Sequence, residues 1–165
     1  VVADDFSLPM LRLGVAKARA RGGGFPRFLA ADTLMLPFEA RTFDGAVVGF
    51  GIRNVERLDE GLRELERVLR PGARLVLLEF TELRNPLLGP CFRLYLRKVL
   101  PAVGNWVSGS RERAYSYLQS SVDHWPDGDG LAEQMRRAGF RGVTWRPLFP
   151  GNVALHAGVA ARGER

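Results

Sequence analysis

Two carboxylates stand at the ends of short apolar runs, at positions where a fold of alternating strands and helices binds ligands. Asp5 follows a Val-Val-Ala run, and Asp32 follows Phe-Leu-Ala-Ala. In an open parallel sheet, ligands lie outside the carboxyl ends of the strands. There Asp5 can accept hydrogen bonds from both hydroxyls of a ribose. Asp32 can accept from the amino group of adenine, while the backbone N–H of Thr33 or Leu34 faces a ring nitrogen. The pattern therefore predicts a site for an adenine nucleoside.

Each aspartate has a second explanation, as the N-cap of a helix or as part of a solvated turn. Either residue alone would favour that explanation, whereas two aspartates at successive strand ends favour ligand binding. Asp4 competes with Asp5 for the ribose, and we assign the role to Asp5 because it directly precedes the turn into the next helix. Gly49 stands near the end of a third apolar run, where a small residue lets the backbone approach a ligand closely.

The elements that would position these residues alternate along the chain. Continuous or alternating apolar runs predict strands at 1–3, 28–31, 43–50, 75–80, 143–148 and 153–159. Apolar residues at helical spacing predict helices at 7–21, 58–69, 87–100 and 128–138. The run 43–50 is apolar almost throughout, as expected for a strand covered on both faces. This alternation predicts a single α/β domain with a mostly parallel sheet, to which a C-terminal hairpin adds an antiparallel strand.

Composition limits the classes of function. The chain has 165 residues and a formal net charge of +6, from 24 basic and 18 acidic residues. The arginines are spread along the chain and are not interleaved with stacking aromatics, so we expect no nucleic-acid partner. The one cysteine, Cys91, excludes an internal disulfide and suits a reducing cytosol. The two histidines, His124 and His156, are isolated from each other in the sequence, so we expect no metal site.

Several longer motifs make the sequence more specific. They are Ala-Asp-Thr-Leu-Met-Leu-Pro-Phe at 31–38, Thr-Phe-Asp at 42–44, Gly-Phe-Gly-Ile-Arg-Asn-Val at 49–55 and the run Arg67–Thr81, with shorter matches at 115–118, 126–127, 138–140 and 153–156. In these motifs the chain resembles the UbiE/MenG family of quinone methyltransferases over essentially its whole length. The Leu-Pro-Phe loop is common to many methyltransferases, while the Gly-Phe-Gly-Ile-Arg-Asn-Val run is much narrower. The family usually has Gly at the position of Ala73 and Ser at that of Thr81, and both changes are small.

The resemblance implies a class I methyltransferase fold, Rossmann-like, with S-adenosylmethionine lying across the strand ends. It implies methylation of a ring carbon of a polyprenylated hydroquinone, with demethylmenaquinol to menaquinol favoured and a ubiquinone precursor left open. By position it assigns Asp5 to the ribose, Asp32 and Thr33 to the adenine, and Gly49 to the wall near the methionine part. These assignments agree with those made from the strand ends.

A ring carbon is a weak nucleophile unless the neighbouring hydroxyl is ionised. Arg53 and Asn54, just past the third strand, are expected to stabilise such a phenolate, because an arginine is not a proton acceptor at neutral pH. The alternative is that they cap the next helix or pair with a neighbouring acid. Tyr117, with Tyr115, lies in segment 81–125, which we expect to cover the substrate; there it would orient the hydroxyl or serve packing alone. The general base stays open.

The resemblance also shows a departure. The family's first strand with its glycine-rich loop, and an N-terminal substrate-covering segment, have no counterpart in this sequence. We therefore expect weak cofactor binding and reduced stability unless another segment fills that place. Two alternatives stay open: a methyltransferase acting on oxygen or nitrogen of a small metabolite, and a non-catalytic fragment. The apolar and basic surface of 87–99 suits either a membrane surface or ordinary packing on the sheet. A cytoplasmic protein at the inner membrane face and a homodimer are further expectations.

Overall fold

The computed structural model describes residues 1–22, 26–82, 125–149 and 151–161. In these ranges the chain forms, in order, β1 (Val2–Asp5), α1 (Leu8–Ala20), β2 (Arg27–Ala30), β3 (Phe43–Gly49), a 3-10 helix (Ile52–Asn54), α2 (Leu58–Val68), β4 (Leu69–Phe80), α3 (Gly128–Arg137), β5 (Phe140–Leu148) and β6 (Val153–Ala160). Most of the expected substrate-covering segment 81–125, with the expected helix at 87–100, lies outside the described residues.

The strands confirm an α/β fold with parallel and antiparallel pairs. Strands β1 and β2 pair in parallel, and β3 and β4 also pair in parallel. Strand β6 pairs antiparallel with both β4 and β5, which gives the order β3-β4-β6-β5 and confirms the C-terminal hairpin. Within the described ranges, no ladder of backbone hydrogen bonds joins the β1-β2 pair to the four-stranded sheet.

Strand β4 begins earlier than the sequence indicates. The prediction that Pro71-Gly72 separates the helix from a strand at 75–80 is wrong, because the backbone becomes extended at Leu69, directly after α2. The pair Phe43–Leu69 is followed by Gly45–Arg74, so a register shift absorbs the extra residues of β4. A glycine is needed in this irregular stretch, where Gly72 has a φ of +86°.

The core lies between the four-stranded sheet and the helices α2 and α3. Leu75 and Leu77 of β4 are fully buried, and they pack in one cluster with Leu62 of α2 and Met135 of α3. Burying each such side chain stabilises the fold by roughly 1.5–3 kcal/mol before entropy is subtracted. Because β4 is an inner strand of the sheet and packs against α2, its carboxyl end is held firmly in place.

Strand β3 is covered less completely than the sequence predicts. Val47 is 78% exposed, although its neighbours Ala46 and Val48 pack against the core. The expectation of cover on both faces is therefore wrong for the described residues. Apolar residues allow a strand to be buried on both faces. A face is buried only when another element packs on it, and the face of β3 that carries Val47 has no such cover in the described residues.

Candidate functional site

Asp5 is the last residue of β1, as predicted, and it also organises the turn into α1. Its Oδ1 accepts a hydrogen bond from the backbone N–H of Ser7 at 2.7 Å. Ser7 precedes α1, but its own side chain makes no capping bond. The described residues donate no hydrogen bond to Oδ2 of Asp5. One carboxylate oxygen therefore holds the turn, and the other is open to a ligand.

Asp32 follows β2 and repeats this arrangement. Its Oδ1 accepts from the N–H of Leu34 at 2.9 Å, and its carbonyl accepts from the N–H of Met35 at 2.9 Å. Since Leu34 already donates to Asp32, Thr33 is the better candidate of the two for the predicted hydrogen bond to a ring nitrogen. The carbonyl of Asp5 accepts from the N–H of Ala31 at 3.3 Å, so both aspartates lie at the same edge of the β1-β2 pair.

Two side chains of α2 fix the backbone that follows Asp32. Glu64 accepts a hydrogen bond from the N–H of Leu36 at 2.8 Å. Arg67 donates to the carbonyls of Phe38 at 2.9 Å and Leu36 at 3.2 Å, and it pairs with Glu64 at 2.7 Å. The hydrogen bond from Arg67 lowers the pKa of Glu64, and the same bond raises the pKa of Arg67. The loop is thus anchored by charged, directional contacts.

Gly49 ends β3 and leaves space where a side chain would stand. A Cβ placed on Gly49 would meet no atom within 4 Å, although the residue is part of an ordered strand paired with Leu78. Packing within the described residues therefore does not require glycine here. The open space is what the predicted close approach of a ligand needs.

Phe50 is held in a strained conformation just after β3. Its φ is +56°, in the left-handed region that costs a residue with a side chain about 1–2 kcal/mol. Its N–H donates to the carbonyl of Leu78 at 2.9 Å, and its ring lies 5.2 Å from that of Phe80 at a tilt of 55°. Phe50 as a whole is 40% exposed, so an aromatic residue stands partly open at the carboxyl ends of β3 and β4.

Arg53 pairs with a buried acid, which is one of the two alternatives left open for it. Its Nη1 lies 2.9 Å from Oε1 of Glu79 and donates to the carbonyl of Phe50 at 2.7 Å. The guanidinium carbon stands 5.2 Å from the ring centre of Phe80. Asn54 is exposed, and its N–H donates to the carbonyl of Gly51 at 3.0 Å. Contact of Arg53 and Asn54 with a substrate stays a prediction.

Glu79 was not among the residues predicted from the sequence to have a role, although its position in the sequence is a signal for one. Glu79 follows Leu75 and Leu77 at alternate positions of β4, and all three are completely buried. A carboxylate in a buried row needs a partner of opposite charge or hydrogen-bond donors. A search of the sequence for arginines near the neighbouring strand end would have pointed to Arg53.

Gly61, near the start of α2, brings the two parts of the site together. A Cβ on Gly61 would lie 3.0 Å from a methyl carbon of Val55 and 3.6 Å from that of Thr33. Val55 directly follows the 3-10 helix that carries Arg53, and Thr33 follows Asp32. The segment that follows Asp32 and the segment that follows Arg53 are therefore both packed against one turn of α2.

The remaining candidates are two tyrosines and two histidines. Tyr115, Tyr117 and His124 fall outside the described residues. His156 is 1% exposed in β6, its Nε2 lies 2.9 Å from the carbonyl of Gly128, and its ring stacks on Trp145 at 5.7 Å. Burial lowers the pKa of His156. These contacts make it a structural histidine.

The described part of the chain contains no group of three or more His, Cys, Asp and Glu residues arranged to hold a metal ion. None of its helices combines the length and the apolar character that crossing a membrane requires.

Comparisons with known proteins agree with one another. The sequence profile of the ubiE/COQ5 methyltransferase family matches residues 1–160. A demethylmenaquinone methyltransferase of Mycobacterium tuberculosis is 44% identical over 157 residues, which cover 95% of this chain and 64% of that protein. The enzyme of the same name from Clavibacter sepedonicus is 43% identical over 164 residues, covering 99% and 66%. The chain thus spans just under two thirds of these relatives.

Solved structures confirm the fold. The cyclase SpnF superposes with a TM-score of 0.69 at 16% identity, covering 97% of this chain and 65% of that one. A SAM-dependent methyltransferase of Thermotoga maritima gives 0.65 at 20% identity, covering 95% and 72%. At such identities the likeness concerns the fold alone, and it is the class I methyltransferase fold expected from the sequence.

Proposed function

The chain belongs to the ubiE/COQ5 methyltransferase family, and on that premise we propose that the protein methylates a ring carbon of a polyprenylated hydroquinone with S-adenosylmethionine. Demethylmenaquinol is the substrate that the names of the relatives favour. The observation that carries the proposal is that Thr33, which follows Asp32, and Val55, which follows the 3-10 helix of Arg53, both lie against Gly61 of α2.

The described residues fit the cofactor. Asp5 and Asp32 each keep one carboxylate oxygen open, as hydrogen bonding to ribose hydroxyls and an adenine amino group requires. Gly49 leaves the gap that a close ligand would fill. When bound, S-adenosylmethionine would supply a methyl group attached to a sulfonium, whose sulfur leaves as a neutral thioether. The chain's own task is to hold both reactants in line and to exclude water.

On the substrate side, the chain has to favour the ionised form of the hydroxyl next to the reacting carbon. Arg53 stands at the strand edge with a fixed positive charge and would lower the energy of a phenolate by electrostatic attraction. Asn54 follows it and is expected to stabilise the phenolate together with Arg53. Phe50, which is partly exposed, offers a flat apolar surface suited to an aromatic ring. Tyr117 is assigned here as an expectation, to orient the hydroxyl.

Methyl transfer from isotope-labelled cofactor tests the reaction. With a short-chain demethylmenaquinol we expect label on a ring carbon, and with catechol we expect none. Labelling of catechol oxygen in place of the quinol would favour the alternative of an O-methyltransferase. Calorimetric titration with S-adenosylhomocysteine tests the second alternative, because no binding at millimolar ligand would exclude catalysis by this chain alone.

Location and assembly are part of the same proposal. A polyprenylated substrate resides in a membrane, so we expect a cytoplasmic protein that contacts the inner face of the membrane. Sedimentation with vesicles that carry the quinol tests this contact, and recovery of all protein in the supernatant would contradict it. Analytical ultracentrifugation tests the expected homodimer.

A further inference from the structure

We propose that Glu79 is a positioning residue that holds the guanidinium of Arg53 at the carboxyl edge of β3 and β4. The inference rests on the proposed function, because it assigns to Arg53 the task of meeting negative charge on the substrate ring. Glu79 itself is 0% exposed, so it does not reach a ligand directly. It acts through Arg53, whose side chain is 11% exposed.

The carboxylate of Glu79 is held in place by contacts other than the one to Arg53. Oε1 of Glu79 accepts from the backbone N–H of Phe80 at 2.9 Å and from Nη1 of Arg53 at 2.9 Å. Because Glu79 lies in the central strand with its side chain fully buried, its position is set by the packing of the core. The position of the Arg53 guanidinium is therefore set by the sheet, through Glu79 of β4. It depends little on the loop that carries Arg53.

Two further contacts restrict Arg53. Nη1 also donates to the carbonyl of Phe50 at 2.7 Å, and the guanidinium lies over the ring of Phe80. The carbonyl of Phe50 is aimed by a backbone conformation with a φ of +56°, which an ordinary residue adopts only when its surroundings enforce it. Strain of this kind beside a charged pair is typical of a preorganised site.

The ion pair of Arg53 and Glu79 has two hydrogen-bonding atoms without a partner in the described part of the chain. They are Nε of Arg53 and Oε2 of Glu79, and both are buried. Buried polar atoms are rarely left without partners in folded proteins. The pair therefore keeps hydrogen-bonding capacity, while Glu79 balances the charge that would otherwise make a nearly buried arginine costly.

Turnover, cofactor affinity and the exchange of the Arg53 guanidinium protons test the proposal together. In Glu79→Gln, which keeps the shape and removes the charge, we expect kcat to fall roughly tenfold to a hundredfold, as expected for a misplaced charged group. The affinity for S-adenosylhomocysteine should stay unchanged. By NMR, the Arg53 N–H protons should exchange with water faster than in the unmodified protein.

A double-mutant cycle separates positioning from an independent role. If Glu79 acts only through Arg53, then Glu79→Gln adds no further loss of kcat in an Arg53→Gln background. Additive losses would overturn the proposal, and so would unchanged kcat in Glu79→Gln. The matched control is Glu133→Gln on the surface of α3, where Glu133 pairs with Arg136 and Arg137, and this variant should keep full activity.

Failure of the proposed function would look different. If the unmodified protein methylates no quinol, the exchange of the Arg53 protons still decides, because unchanged exchange in Glu79→Gln would show that Glu79 does not hold Arg53. If Glu79→Gln does not fold, Glu79→Asp replaces it, since this variant keeps the charge but draws it back by one methylene. The same fall in kcat and the same faster exchange are then expected, and their absence overturns the proposal.

Discussion

The carboxylate of Glu64 accepts a hydrogen bond from the backbone N–H of Leu36 at 2.8 Å, and so ties helix α2 to the loop that follows Asp32. The two residues are 28 positions apart in the chain. Arg67, one turn further along α2, grips the carbonyl of the same Leu36. The loop after β2 is therefore positioned by side chains that are not themselves expected to touch the ligand.

Removing the charge of Glu64 should loosen that loop. We expect Glu64→Gln to lower the free energy of unfolding by roughly 0.5–1 kcal/mol, a modest figure because Arg67 is partly exposed. Affinity for S-adenosylhomocysteine should fall as well. Urea unfolding and calorimetry measure the two effects. Asp59→Asn is the matched control, since Asp59 pairs with Arg63 on the exposed face of the same helix, and it should change neither quantity.

The contribution of Glu64 should also depend on pH. Its pKa in the folded protein lies below the ordinary value of 4.5, so its stabilising effect is present above that value and is lost as the pH falls through the lower folded pKa. The difference in unfolding free energy between the unmodified protein and Glu64→Gln should therefore shrink as the solution is acidified below about pH 4.5. A constant difference across that range would contradict the assignment.

Gly49 separates ligand binding from folding. Because a Cβ at this position would meet nothing within 4 Å, Gly49→Ala should leave the melting temperature nearly unchanged. Affinity for S-adenosylhomocysteine should nevertheless fall, since the methyl group enters the space expected for the ligand. The control is Gly45→Ala in the same strand, where a Cβ would be 3.4 Å from the carbonyl oxygen of Arg74. Equal affinities for the two variants would refute the role of Gly49.

The open oxygens of Asp5 and Asp32 can be tested by amide replacement. In Asp5→Asn and Asp32→Asn, the remaining oxygen can still accept from Ser7 or Leu34, so the turns should persist. Each variant loses one charged acceptor, and we expect roughly tenfold weaker binding of S-adenosylhomocysteine. Asp44→Asn, at an exposed position of β3, serves as the control. Full affinity in both variants would mean that the aspartates serve only their turns.

His156 should make the fold sensitive to mild acid. Burial lowers its pKa below the ordinary value of 6.5, so the unfolded chain binds more protons than the folded one in this range. The unfolding free energy should therefore fall as the pH drops from about 7.5 to about 5.5, and less so in His156→Gln. Urea titrations at both values check this. The control is His124→Gln, in which the unfolding free energy should still fall with pH. If the fall disappears in His124→Gln, the effect belongs to His124 and the prediction for His156 is wrong.

Most of the fold could be predicted from the sequence, because the signals are local. Apolar runs that end at Asp5 and Asp32 indicated β1 and β2, and a Pro-Gly-Asn turn indicated the final hairpin. The start of β4 was wrong because Pro71-Gly72 resembles a helix stop, while the register shift opposite β3 let the strand run through it. A register shift depends on how two strands pair, so it cannot be predicted from the sequence of either strand alone.

The sequence by itself determined the family, the order of elements and the residues at the strand ends, since each depends on neighbours along the chain. The tertiary structure alone decided what those residues touch. Arg53 and Glu79 are 26 positions apart and meet only because β3 and β4 lie side by side with their carboxyl ends together. Electrostatic attraction and hydrogen bonding act over a few ångströms, so partners distant in sequence are fixed only when the core has packed.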